Sequence, residues 1–259
     1  MRKIQKELMN SRPKLVRVRK EVAEGASCYT VRQKRCWALV SADLQKFIDE
    51  DIDWTSVETV RKTIPLLDNG NYEVEILPQY VVSKGHSYSG VLETLRKLTE
   101  VWIPIKQDSG KEEMFIIFNK YRFEDGKYYA QMNIDALRVM MTLKKGYFST
   151  FHVESFLKLS TTYSMDLFLY LSQNYNRIGK SWVASLDELK KRVGCPSGYD
   201  FEKIKERILE PAQKEFEKQK TLITFTYSGA YSEASLNKRT RGRRKIDCVA
   251  FEIIQNTEL

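Results

Sequence analysis

The sequence predicts an α+β chain: two units in tandem, mostly helical, each running helices and then a small antiparallel β hairpin. Three observations carry that reading. The chain has 259 residues, enough for two units of roughly 100–150 residues each. Its apolar fraction, 42%, can fill real cores. In both halves apolar residues recur at helical spacing and then give way to short runs of strand character.

Residues 1–27 read as a basic N-terminal arm, 28–155 as the first unit and 156–259 as the second. Residues 1–35 hold 11 Lys/Arg and 3 Glu, which accounts for most of the net charge of +9. Such an arm is either solvated or laid along a phosphate backbone. With a pI of about 9.2, the chain favours an acidic partner, either nucleic acid or an anionic membrane surface. The opening stretch MRKIQKELMNSRPKLVRVRK lacks the apolar centre of a signal peptide, and the chain has no run of about 18 apolar residues. A soluble, cytoplasmic protein with no membrane partner is expected.

In the first unit, RQKRCWALVSADLQKF (32–47) is an amphipathic helix, with Trp37, Val40, Leu44, Phe47 and Ile48 at helical spacing. Asn69–Gly70 marks a turn before the strand-like YEVEILPQYVV. A second helix covers 88–98, with Val91, Leu92, Leu95 and Leu98 on one side. Two strands come next, VWIPI (101–105) and EMFIIFNKY (113–121). Helices and then a hairpin are the order of a winged helix. The run MFIIF is unbroken, so both of its faces need cover. One face can pack on the helices. The other is met by the second unit, or by a second copy of the chain through Val101, Ile103, Phe115 and Ile117.

The second half repeats the order of elements without repeating residues. A helix spans 160–175 and a strand 181–186. Asp187 has the look of an N-cap for a short helix closed by Gly194 and Pro196. A helix over about 200–220 contains Pro211, and strands cover 221–228 and 245–255. On that proline helix Phe201, Ile204, Ile208, Ala212 and Phe216 share one broad face. Lys203, Arg207, Lys214 and Lys218 fall within about 60° of arc on an ideal helix. Four cations beside an apolar face suit a helix docked on a core and laid against a polyanion, although a solvated face would also carry charges. Glu215 falls inside the apolar face, where Lys205 is a possible partner. Between the last two strands lies NKRTRGRRK, with Lys238, Arg239, Arg241, Arg243 and Arg244. It is either a soluble loop or a hairpin tip that rests on the sugar-phosphate backbone.

Catalytic and metal chemistry find no pattern. Cys28, Cys36, Cys195 and Cys248 form no C-x-x-C pair, and His86 and His152 are far apart, so no metal or other cofactor is expected. The GKS at 179–181 lacks the phosphate-loop glycine, since position 174 is Asn174. The chain reads as a binding protein rather than an enzyme.

Four stretches in order carry a resemblance: YSMDLFLYLSQ (163–173), SLDELKKRVGC (185–195), DFEKIKERILEPAQKEFEK (200–218) and GRRKIDCVAFEI (242–253). Together they resemble the iteron-binding plasmid replication initiators of the RepA/RepE type, closely over 160–255 and more faintly upstream. The resemblance implies two tandem winged-helix domains, with the proline helix as the DNA-recognition helix of the second. It implies binding of double-stranded direct repeats (iterons) at a plasmid origin as a monomer, opening of the adjacent DNA and recruitment of host initiator and helicase proteins. It also implies a homodimer, in exchange with the monomer, formed through the first domain. Family members often carry arginine where this chain has Asp166, which leaves that arginine's contact open here. The alternative is a winged-helix repressor of its own promoter with no initiator activity. Arg207 is the candidate base reader, because its planar fork can pair with guanine.

Overall fold

The computed structural model describes residues 15–49, 51–82, 88–106, 112–142, 148–174, 178–237 and 245–256. Two compact units meet in sequence between Leu157 and Lys158.

Part of the expected arm is a built element of the first unit. Strand β1 (Leu15–Arg19) pairs antiparallel with β2 (Phe148–His152), Leu15 opposite His152 and Arg19 opposite Phe148. The alternation in LVRVR explains it, since Val16 and Val18 turn inward and are buried while Leu15 and Arg17 face out. A short helix (Lys20–Gly25) and a 3₁₀ turn (Ala26–Cys28) come next. Residues 1–14 lie outside the described residues.

Helix α1 (Val31–Leu44) opens on a capping box, in which Thr30 accepts from the Gln33 N–H and the Gln33 side chain accepts from the Thr30 N–H at 2.9 Å. The amphipathic reading is too narrow, because every residue from Gln33 to Ala42 is buried. This is a central helix covered on all sides. Trp37 stacks on Phe151 of β2 at 5.5 Å. Lys34, fully buried, donates from Nζ to the carbonyls of Ala26 (2.7 Å) and Ser27 (3.1 Å). A buried ammonium is tolerable only with such acceptors, and here they fix the turn that joins β1 to α1.

The wing of the first unit is not at the strands expected from the sequence. Strands β3 (Tyr72–Ile76), β4 (Lys120–Glu124) and β5 (Lys127–Met132) form a sheet in the order β3-β5-β4. Asp125 (φ 50°) and Gly126 (φ 75°) make the two-residue turn between the last two. An Asp-Gly pair with both residues at positive φ matches the twist of a hairpin. The expected wing, a ribbon of β6 (Trp102–Lys106) and β7 (Glu112–Ile116), is a separate two-stranded insertion ahead of it. Helix α2 (Ser89–Leu98) precedes the ribbon.

The ribbon divides the residues of the expected dimer surface between buried and half-buried positions. Ile103 pairs with Phe115, and Trp102 with Ile116, so the two pairs face opposite ways. Ile103 and Ile117 are fully buried within the first unit, while Val101 and Phe115 are half-buried. The apolar side chains turned to solvent are Trp102 (55% exposed) and Met114 (52%). The outward face is thus one residue out of step with the expected one, and a one-residue offset exchanges the two faces of a strand.

In the second unit, α3 (Thr162–Gln173) leads to β8 (Ser181–Ser185), α4 (Leu186–Val193), a long proline-containing helix α5 (residues 201–219), and strands β9 (Ile223–Ala230) and β10 (Cys248–Gln255). The sheet order is β8-β10-β9. Each three-stranded sheet thus has its first strand beside its last and its second at the edge, the arrangement of a winged helix. The N-cap of α4 is Ser185, which accepts from the Glu188 N–H, rather than Asp187. Gly194 closes the helix at φ 64°. Asp166 is buried in α3, at 4% exposure.

Candidate nucleic-acid interface

Helix α5 is assembled from three stretches: α-helical Phe201–Ile204, a π-helical turn Lys205–Leu209, and α-helical Glu210–Gln219. Asp200 caps its start by accepting from the Lys203 N–H at 3.0 Å. Pro211 has no N–H to donate four residues back. The chain absorbs this in the preceding turn, where the Glu210 N–H reaches the carbonyl of Lys205, five residues back. A π-turn of this kind adds about one residue to the helix and rotates the later residues by about 100° around the axis.

That shift sets the register of the core. Phe201, Ile204, Ile208, Ala212 and Phe216 are buried, as the periodicity predicts, and Leu209 joins them. Phe216 stands edge-on to Phe168 of α3 and to Phe225 of β9, with ring centroids 5.5 Å apart in each case. Gln213 donates to the carbonyl of Phe225 at 2.9 Å. An unbroken α-helix would have pointed Pro211 and Glu215 at this core. Instead Pro211 is exposed, and Glu215 accepts two hydrogen bonds from Ser160, just before α3. The expected Lys205–Glu215 pair is not made. Lys205 lies between Glu202 and Glu210, 3.9 Å from each.

Lys203, Arg207, Lys214 and Lys218 are all exposed, and none makes an ion pair among the described residues. They are not one narrow stripe. The π-turn leaves Lys203 and Arg207 on one flank of the outward surface and Lys214 and Lys218 on the other, over about 100° of arc. Tyr163 lies near Arg207. Burial pushes its hydroxyl up, Tyr199 and Cys195 add to that, and Arg207 draws it back.

The second wing has an anchor that the sequence reading missed. Asp247, just before β10, accepts from the Ser232 N–H at 2.8 Å and from the hydroxyls of Ser232 and Ser235. These bonds hold the short helix Glu233–Asn237 against the root of the wing and lower the carboxyl to about 2. A Ser-x-x-Ser with an aspartate twelve residues beyond its second serine is a weak signal, readable only once the strands are paired. Lys238, Arg239, Arg241, Arg243 and Arg244 lie outside the described residues.

The matching helix of the first unit differs in its electrostatics. On α2, Arg96 binds Glu93 through two nitrogens at 2.9 Å and also pairs with Glu100, while Lys97 lies 3.4 Å from Glu93. Its cations are internally neutralised. No group of acidic, histidine or cysteine side chains able to hold a metal ion occurs among the described residues, and no described helix is long and apolar enough to cross a membrane.

Two family profiles match the chain. Residues 72–172 match the initiator replication protein winged-helix domain WH1, and residues 185–253 match the initiator Rep protein domain WH2. No curated protein matches it. Among solved structures, the chain is similar to a Pi initiator protein crystallised in complex with iteron DNA. Identity is 18%, the TM-score is 0.66, and the match covers 96% of this chain and all of the other. At that identity the likeness shows a shared fold.

Proposed function

The chain belongs to the initiator Rep protein family, and we propose that it starts plasmid replication by binding direct repeats of double-stranded DNA at the origin. The observation that carries this reading is the outward surface of α5, where Lys203, Arg207, Lys214 and Lys218 stand exposed, with no ion pair among the described residues, on a helix locked to its core. Free cations on a rigid helix can release counterions from a duplex. The self-paired cations of α2 offer less. The second unit is therefore the main DNA reader, and the first supplies auxiliary contacts and the dimer surface. Trp102 and Met114 are the natural centre of that surface. The basic segment 238–244 adds phosphate contacts, and the arm before Leu15 adds further charge. Repeat-bound monomers would open the adjacent A·T-rich DNA and recruit host initiator and helicase proteins in the cytoplasm, a binding role without an enzymatic step. The similar Pi initiator, held on iteron DNA, supports the same reading.

The test is binding to duplexes carrying the repeats beside the gene, titrated over salt. Replacing all four cations by alanine is expected to flatten the plot of log affinity against log salt by about 3.6, near 0.9 for each phosphate that is no longer neutralised. An unchanged slope would remove the helix from the interface.

A further inference from the structure

Helix α5 carries two exposed acidic side chains with no ion pair among the described residues, Glu206 and Glu217, and Glu206 is the one set opposite the core. Glu206 is exposed and lies two residues from both Ile204 and Ile208, which are buried. It therefore points about opposite to the core. Its neighbours along the helix, Glu202 and Glu210, share Lys205 at 3.9 Å. Glu206 makes no ion pair and no hydrogen bond among the described residues, although Lys203 and Arg207 are close in sequence. It is an unneutralised carboxylate at the middle of the outward surface, between cations on either flank.

A carboxylate there is repelled by phosphates unless it reaches past them. In the centre of a major groove it meets base edges instead. An ionised carboxylate only accepts hydrogen bonds. Of the groups exposed in that groove, guanine O6 and N7 and thymine O4 also only accept, whereas cytosine N4 and adenine N6 donate; adenine sets its donor beside the N7 acceptor, which repels a carboxylate, so cytosine is the better match.

We propose that Glu206 is a specificity-determining residue that accepts a hydrogen bond from the N4 amino group of a cytosine in the bound repeat. The assignment rests on α5 lying in the major groove. In that position Glu206 favours one base pair and penalises the rest, while the flanking cations hold the backbone on either side. It lowers affinity for duplexes in general and raises discrimination among them.

A randomised duplex library serves as the probe, selected separately with the wild-type chain, Glu206→Ala and Glu206→Gln. The wild type is expected to enrich a sequence containing a cytosine whose preference Glu206→Ala lowers about ten-fold, the scale of one base contact. The same variant should bind unselected duplex more tightly at low salt, since a negative charge has gone. Glu206→Gln, whose amide both donates and accepts, should admit adenine at that position. If the wild type enriches a sequence and Glu206→Ala shows the same preference at every position within two-fold, the assignment to Glu206 is wrong and the DNA-reading role of the helix stands. If the wild type enriches nothing, the DNA reading itself fails, and the assignment with it.

Discussion

Glu215 Oε1 accepts two hydrogen bonds from Ser160, one from the backbone N–H at 2.7 Å and one from the hydroxyl at 2.6 Å. The contact ties the second half of α5 to the start of α3 with a charged acceptor, the stronger kind of hydrogen bond. Its position near solvent keeps the contribution modest. Glu215→Ala is expected to lower stability by about 1 kcal/mol, read as a lower urea midpoint at unchanged slope. Glu215→Gln should recover part of that loss. No change in midpoint for either variant would mean that the helix is held by Phe216 and Gln213 alone.

Pro211 invites a second measurement. A helix-interior proline ordinarily costs about 3 kcal/mol relative to alanine. Here the turn before it already bonds five residues back, so the missing donor leaves less to recover. Pro211→Ala should therefore gain less than about 1 kcal/mol in chemical denaturation. A gain near the full helix value would show that the proline strains the helix and that the π-turn does not relieve it.

The two faces of the ribbon separate a surface from a core. Ile117→Lys places an ammonium in a fully buried position, and a loss of about 3 kcal/mol or more is expected, read as a large drop in melting temperature. Met114→Lys, on the solvent face, should leave the melting temperature nearly unchanged. If the first unit pairs with another copy through this ribbon, Met114→Lys shifts sedimentation toward the monomer. Unchanged association with an intact fold would move the dimer contact elsewhere.

Asp247 sets a pH dependence whose direction is fixed. Hydrogen bonds from Ser232 and Ser235 lower its carboxyl from 3.8 to about 2. The folded state therefore binds this proton less readily than the unfolded chain, and the stabilisation is fully present above pH about 4. It is lost as pH falls through about 2. Thermal unfolding of Asp247→Asn and wild type, compared between pH 2 and 6, should differ most at the upper end and converge at the lower. A constant gap would mean that the aspartate acts by shape rather than charge.

The repeated order of elements was legible in the chain because helices α1, α2, α3 and α5 carry long apolar spacings. The core residues of α5 were readable for the same reason. The first wing was misplaced because MFIIF is more apolar than KYRFEDGKYYAQM, and apolarity outweighed turn chemistry. Yet Asp125–Gly126 was the stronger hairpin signal. Strand β1 was missed because its alternation is only five residues long and sits inside a basic stretch. The width of the cationic surface could not be read at a fixed 100° per residue, since a π-turn breaks that count. Glu215 looked misplaced on the same arithmetic. Its true partner, Ser160, is fixed only by the packing of α3 on α5.

The pairing of Leu15 with His152 has a consequence for the order in which the chain can fold. The first strand of the first unit is made early, and its partner only after nearly all of that unit has been synthesised. At roughly 5–20 residues per second the wait is on the order of ten seconds. Helix α1 can form in microseconds, but the strand Leu15–Arg19 has no strand partner until residues 148–152 arrive. Closure of this unit is thus a late, long-range event, of the kind that slows folding most. Until it occurs, a nascent chain displays an unpaired, valine-rich strand beside its most basic segment.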